Sequence, residues 1–321
     1  MERYTKPAMP HRHVQNHSRT LTMQCRHLPF RWWVWVVPFL LAFPCSAAVQ
    51  GQFGPEARGY ADSSAATPDS PRPFDTIWSD TKAVFTEGVQ IFSAPLRFGG
   101  TEWGIAGGVV AGTGLMMTAD HQARKTFTQT EDTLANRLSE IGNYYGTLLP
   151  GLAVSAGLYS GGLIFDEPSV RRAGRHVFQA MLYAGTITTV AKMLIGRHRP
   201  FLNDGEYVFD GPSTKDEYFS LPSGHSTVAF SISSALAADI DHPAATVALY
   251  SLATLTALSR IHSDRHWLSD TFLGAAIGTA CGYGVVHLGD PPGSESSSWI
   301  LLPTSNGVML RWSGLLGASS R

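Results

Sequence analysis

The sequence predicts an all-α fold, a helical bundle of about six core helices, on three observations. Six long uncharged runs recur, at 103–119, 141–165, 177–191, 226–238, 243–259 and 271–289. Each is bounded by charged or Pro/Gly-rich stretches, the pattern of helices joined by polar loops. Little in them alternates as a strand does, and 44% of the 321 residues are apolar, enough for a sizeable core.

In chain order, residues 1–48 are an N-terminal extension ending in a signal-peptide-like segment. Trp32–Phe43 reads WWVWVVPFLLAF, the length of a signal-peptide h-region, with Arg26 and Arg31 before it and CSAA after it. Cleavage after Ala47 or Ala48 fits, and translation from Met23 would give the leader ordinary proportions. An uncleaved membrane anchor is the alternative, although the run falls short of the ~20 residues of a span. Net charge is −1 over the chain, but residues 1–48 hold six basic residues and one acid, +5, leaving −6 for the rest. Such a balance excludes a dedicated nucleic-acid binder. Cys25 and Cys45 lie in the leader, so a processed chain keeps Cys281 alone and forms no internal disulfide. Export without disulfides points to a bacterial cell envelope.

Residues 49–75, rich in Gly, Pro, Ser and Ala, read as a linker, and the folded domain is placed at 76–289. Its first segment, 76–96, spaces Ile77, Val84, Phe85, Val89 and Phe92 as an amphipathic helix does, lying on a core or a membrane surface. The six runs that follow are rich in Gly, Ala, Ser and Thr, which let helices approach closely in membranes. Only some reach spanning length, and the mean hydropathy of −0.02 is low for a polytopic protein. Loops 120–140 and 166–176 each carry three Lys or Arg, so they set no orientation. A bundle embedded in the membrane and a soluble exported domain both remain open. Residues 290–321 are a second linker, PPGSESSS, and a tail in which Asn306-Gly307 signals a β-hairpin.

Three clusters at the edges of these helices carry chemistry: KMLIGRHRP (Lys192 to Pro200), PSGH (Pro222 to His225) and SRIHSDRHWLSD (Ser259 to Asp270). Lys192 and Arg199 are seven apart and are expected to share a helical face until Pro200 stops the helix. Ser223 and Gly224 stand where a helix begins, so free N–H groups and the positive dipole end face a bound anion. His266 and Asp270, four apart, are expected on one side of a helix, with the carboxylate accepting the Nδ1 proton and Nε2 left free to attack. Arg260 adds a planar fork suited to two phosphate oxygens. Three fixed cations match a phosphate monoester dianion. The competing reading is a metal held by His262, His266 and Asp270, but Lys192, Arg199 and Arg260 would then repel the cation, so no metal is expected.

The order KxxxxxxRP, PSGH, SRxxxxxHxxxD resembles the type 2 phosphatidic acid phosphatase superfamily, which also contains bacterial non-specific acid phosphatases and vanadium haloperoxidases. All eleven specified positions match between Lys192 and Asp270. The resemblance implies an acid phosphatase/vanadium-dependent haloperoxidase-like bundle. It further implies that His266 attacks phosphorus to give a phosphohistidine, that Asp270 orients it and that His225 protonates the leaving oxygen. Lys192, Arg199 and Arg260 would hold the phosphate, with Ser223 and Gly224 assisting. The two histidines would start in opposite protonation states, giving a bell-shaped pH dependence.

The function this implies is hydrolysis of phosphate monoesters or diphosphates, of envelope lipids of the phosphatidic acid type, without a cofactor. Alternatives are a vanadium-dependent haloperoxidase, in which vanadate would be the cofactor, a soluble periplasmic acid phosphatase, and a non-catalytic membrane scaffold or transporter. The expected partners are a phosphorylated lipid or small phosphate ester and a membrane, not nucleic acid. Three spans before Arg199 would turn the site to the cytoplasm if the leader exports the chain; an outward-facing site, in or on the inner membrane, is the reading preferred. The polar loop Phe201–Leu221 joins two clusters and is expected to be a lid or specificity element rather than a solvated connector.

Overall fold

The computed structural model describes residues 73–128, 132–289, 298–304 and 307–313. The leader, its cleavage site, Met23 and the linker up to residue 72 lie outside the described residues. Among those described are nine α-helices: α1 (Pro73–Ser93), α2 (Gly100–Met117), α3 (Asp120–Thr128), α4 (Thr133–Tyr145), α5 (Leu148–Ile164), α6 (Pro168–Ile195), α7 (Gly224–Ile240), α8 (Pro243–His262) and α9 (Leu268–Gly289). The protein is all-α in its body, and every uncharged run lies in helix. A two-stranded hairpin, β1 (Ser298–Thr304) with β2 (Gly307–Ser313), follows. It pairs from Ser298↔Ser313 to Thr304↔Gly307, so Gly307 belongs to the second strand; Asn306 lies outside the described residues.

Two runs have different bounds from those expected. Run 141–165 is divided between α4 and α5, which meet at 56°. Gly146 ends α4 there, and a Cβ on it would come within 2.9 Å of the His225 Cβ, so the chain turns where only glycine fits against α7. Helix α6 begins nine residues earlier than run 177–191, at Pro168, and takes in Arg171, Arg172 and Arg175. Charge does not stop it because two of these arginines are paired: Asp80 lies 3.4 Å from Arg171 and 3.3 Å from Arg175, and Glu87 lies 3.8 Å from Arg175.

Those acids belong to α1, which is inverted relative to a helix on a soluble core. Its buried face carries Thr76, Asp80, Glu87 and Gly88, while Phe74, Trp78, Phe85 and Val89 point outward. Four of the five apolar residues of the stripe expected to lie on a core or a membrane surface, Ile77, Phe85, Val89 and Phe92, are exposed, so the stripe does not lie on the core. A helix of this kind is stable with its acids on arginines and its aromatics against hydrocarbon. The rest of the molecule agrees. Helices α6, α8 and α9 are long and apolar enough to cross a membrane, and α4 with α5 passes the same test as a broken span. The chain is a membrane protein.

Helix α7 is the enclosed axis, with Ser226 to Ala235 buried throughout. It packs on α6 and α9 through Val177, Ala180, Met181, Val228, Ile232, Cys281 and Val285. Small residues make the α7–α9 crossing close: a Cβ on Gly274 would lie 2.5 Å from the Ser223 carbonyl, and Gly278 and Gly282 face α7 backbone in the same way. Because α6 to α9 alternate in direction, the C-termini of α6 and α8 and the N-termini of α7 and α9 gather at one end. Lys192, Ser223, Arg260 and Asp270 sit there.

Candidate active site

Lys192 stands in the last turn of α6, which stops at Ile195 because Gly196 turns left-handed at φ 61°. The expectation that Lys192 and Arg199 share one helical face is therefore corrected. Arg199 lies beyond the helix end on extended backbone, its N–H donating to the Glu217 carbonyl at 3.0 Å. The two cations meet at the site because the chain folds back after Gly196, not because of helical spacing. Lys192 Nζ donates to the Phe219 carbonyl at 2.5 Å, and its Cε passes Gly224. Arg199 Nη2 donates to Asp216 at 2.7 Å, and Arg260 Nη1 to Asn143 at 2.7 Å. The Nε donors of Arg199 and Arg260 are buried and have no hydrogen-bond partner among the described residues. Buried guanidinium donors without acceptors are costly unless an anion meets them.

Ser223 is the N-cap of α7: its Oγ accepts from the Ser226 N–H at 3.4 Å, and its own N–H donates to the Asp270 carbonyl at 2.8 Å. Gly224 and His225 follow as the first two helical residues, where unpaired N–H groups collect. The His225 ring has no hydrogen bond among the described residues. Burial, then the charges of Arg260, Lys192 and Arg199, pull its pKa down to about 4. The opposite protonation states expected of the two histidines are thus not those of this arrangement of protein groups, in which both rings are neutral near pH 7. His266 is held down to about 3, by burial first and by Lys192 and Arg260, against the raising effect of Asp270.

His266 precedes α9 instead of lying on it, so its relation to Asp270 is not the helical pairing expected from the spacing. Its Nδ1 is 2.8 Å from the Ser220 carbonyl and 3.5 Å from Asp270 Oδ2. A carbonyl only accepts, so Nδ1 carries the proton and Nε2 keeps its lone pair. Asp270, fully buried, accepts instead from Arg197 Nη1 at 2.7 Å, the Ser220 hydroxyl at 2.5 Å and the Trp267 N–H at 2.8 Å. The last of these caps α9 from inside its first turn. Ser220 thus takes the histidine proton on its carbonyl and gives its hydroxyl to the carboxylate, tying His266 and Asp270 together.

Arg197 and Asp120 were not singled out in the sequence. Arg197 is 0% exposed and donates to Asp270, to Ser269 Oγ at 2.7 Å, to Asp120 at 2.7 Å and to the Glu206 carbonyl. Asp120, at the start of α3, also accepts from the Ser269 N–H and hydroxyl at 2.8 and 2.6 Å. Burial raises its pKa against the pull of Ser269 and Arg197. The arginine between Lys192 and Arg199 was a visible signal; its carboxylate partner lies 77 residues away and had none.

His262 does not join His266 and Asp270. Its nitrogens lie 2.9 Å from the Phe127 carbonyl and 2.9 Å from Asn136 Oδ1. Asp264 pairs with Arg124 at 2.6 Å, and Arg124 also holds Asn203 at 2.8 Å. Among the described residues no set of three His, Cys, Asp or Glu converges as metal ligands. The 201–221 loop is tied down at many points: the His198 N–H bonds Val208, Asp210 bonds Gly196, and Ser220 bonds Arg197, all at 3.0 to 3.1 Å. Its last residues, Asp216, Phe219 and Ser220, contact Arg199, Lys192, His266 and Asp270.

A family model, the PAP2 superfamily, matches residues 173–291, a span containing every one of the candidate residues. The chain is 34% identical over 104 residues to a lipid A 1-phosphatase of Porphyromonas gingivalis, covering 32% of this chain and 20% of the relative. It is 31% identical over 107 residues to a lipid A 1-phosphatase of Rhizobium etli, covering 33% of this chain and 45% of the relative. The chain thus spans less than half the length of either. Two solved structures are distantly similar. Aquifex aeolicus LpxE has 21% identity and a TM-score of 0.37 over 52% of this chain and 93% of that one. The PAP2-type phosphatidylglycerolphosphate phosphatase of Bacillus subtilis has 19% identity and a TM-score of 0.42 over 64% and 94%.

Proposed function

From the match of residues 173–291 to the PAP2 superfamily model, we propose that this chain is a phosphatase that removes phosphate from an envelope lipid through a phosphohistidine. The observation that carries the reading is the His266 ring, fixed with its proton on Nδ1 toward Ser220 and its Nε2 lone pair unshared, within the field of Lys192 and Arg260. Nε2 forms a bond to phosphorus as the bond from phosphorus to the leaving oxygen breaks. His225 gives that oxygen a proton, then takes one from the water that cleaves the P–N bond and releases inorganic phosphate. Lys192, Arg199 and Arg260 bind the peripheral oxygens, and the α7 N-terminus at Ser223 and Gly224 adds backbone donors for the charged transition state. Asp270, through Ser220 and directly, stabilises the imidazolium character that His266 acquires.

His225 can act as an acid only if it is protonated in the complex. Burial first, and then the charges of Arg260, Lys192 and Arg199, hold its pKa near 4; a dianion bound among those cations offsets their part and adds its own negative charge, so substrate binding favours the protonated ring.

The substrate class follows from the membrane helices and from the relatives. The lipid A 1-phosphatases suggest a phosphate on a sugar lipid as the first substrate to try, followed by phosphatidate and polyprenyl diphosphate. A haloperoxidase or a soluble acid phosphatase is not favoured, since the named relatives are lipid phosphatases and three helices suit a bilayer. We place the site on the periplasmic side of a bacterial inner membrane. Phosphate release from this panel in detergent micelles should be abolished by His266→Ala, and brief reaction with radiolabelled substrate should leave acid-labile, base-stable label on wild type alone. Release by His266→Ala at the wild-type rate would overturn the mechanism.

A further inference from the structure

We infer that Asp216 is a displaceable carboxylate: it pairs with Arg199, yields to the phosphate of the substrate, and returns as inorganic phosphate leaves. The inference rests on the phosphate-site reading above.

The pair is asymmetric. Arg199 is 11% exposed at its side chain and its backbone is held by the Glu217 carbonyl, whereas the Asp216 side chain is 79% exposed, makes no other hydrogen bond among the described residues and otherwise acts on Lys192 through its charge alone. Asp216 can therefore leave without disturbing packing. The short turn that carries it, Asp216–Tyr218, stays anchored without that ion pair. Tyr218 stacks on the His198 ring at 4.2 Å and 3°, and His198 in turn is flanked by Asp204 at 2.8 Å and Asp210 at 3.1 Å. One residue further on, the Phe219 carbonyl covers Lys192. A single segment thus covers two of the three candidate phosphate cations, one with a neutral oxygen and one with a charged carboxylate.

A phosphate dianion displaces the carboxylate because it brings twice the charge and three oxygens that can reach Lys192, Arg199 and Arg260 together, including the unpartnered Nε donors. Both the ester and free phosphate must break the same ion pair, so Asp216 weakens both. The benefit is to turnover. Three buried cations alone would retain the product, and a tethered anion that refills Arg199 releases it.

Asp216→Asn keeps the shape and removes the charge. Calorimetric titration with inorganic phosphate, and phosphate inhibition of lipid phosphate hydrolysis, should show its Kd and Ki lowered roughly two- to fivefold, the range for a partly exposed ion pair. KM should fall with them. Glu217→Gln removes a neighbouring exposed acid that does not touch the guanidinium, and should change Kd by much less. Weaker phosphate binding in Asp216→Asn would mean that Asp216 orients Arg199 toward the ligand, and would overturn the inference. So would an unchanged Kd, or an equal shift in Glu217→Gln, which would indicate bulk charge. A wild-type protein that neither binds phosphate nor hydrolyses any ester in the panel would instead overturn the phosphate-site reading itself, and the inference with it.

Discussion

Ser220 shows how one residue holds two side chains. Its carbonyl forces the proton of His266 onto Nδ1, and its hydroxyl lies 2.5 Å from Asp270. His266 is thereby oriented in one tautomer, while burial and the charges of Lys192 and Arg260 keep it neutral. His225, by contrast, has no hydrogen bond among the described residues to define it, and burial first, then the charges of Arg260, Lys192 and Arg199, set its protonation. This asymmetry makes a pH prediction. The profile of kcat/KM reports the free enzyme and that of kcat the complex. Since bound dianion raises the His225 pKa from about 4, the alkaline limb of kcat should lie at higher pH than that of kcat/KM. Protonation of His266, held near 3, sets an acidic limb below that range. Coincident alkaline limbs in the two profiles would exclude His225 as the acid whose proton the substrate retains. The eight candidate residues were legible because each sits in a short motif. Arg197 lies inside the first cluster but was not singled out, since what makes it important is burial and a partner 77 residues away, and Asp120 has no motif around it at all.

At the scale of elements, the close crossing of α7 and α9 depends on glycine at positions where an added methyl group meets backbone. A Cβ on Gly282 would lie 2.7 Å from the Ser231 carbonyl and 2.9 Å from the Ala235 nitrogen, whereas one on Gly157 in α5 meets nothing within 4 Å. Gly282→Ala should therefore destabilise the protein by about 1–3 kcal/mol through overpacking. Gly157→Ala should be neutral or stabilising by up to about 1 kcal/mol, because alanine loses less backbone entropy in a helix. Thermal unfolding in detergent distinguishes them, and equal midpoints would show that α9 can move away from α7. Richness in small residues was readable as close packing. Which glycine faces a neighbour was not, because α7 and α9 have no one-sided apolar stripe to fix their rotation. Helix ends were blurred for a related reason: charge marks a boundary only where it is solvated, and Arg171 and Arg175 are paired inside the bundle.

On the scale of the whole molecule, α6 acts as a ruler. Arg171 and Lys192 are 21 residues apart on it, about 31 Å at 1.5 Å per residue, close to the ~30 Å hydrocarbon thickness. With α6 crossing a bilayer, the Asp80–Arg171 cluster and the candidate site stand about one hydrocarbon thickness apart. A site facing the periplasm then requires α1 to start on the cytoplasmic side. Reporter fusions after Pro200 and after Phe165 should read periplasm and cytoplasm, respectively; the reverse pattern would place the phosphate site inside the cell. Overall hydropathy did not reveal this arrangement, because a membrane helix whose acids face inward lowers the average without leaving the membrane.

The inverted face of α1 also bears on how the chain is made. Asp80 and Glu87 are too costly to rest singly in hydrocarbon, and so are Arg171 and Arg175. Asp80 precedes its partner Arg175 by 95 residues in the chain, so the acids are made long before the arginines that pair with them. Neither helix has its charges matched until the other is in place, which ties the two together in folding as well as in the finished structure.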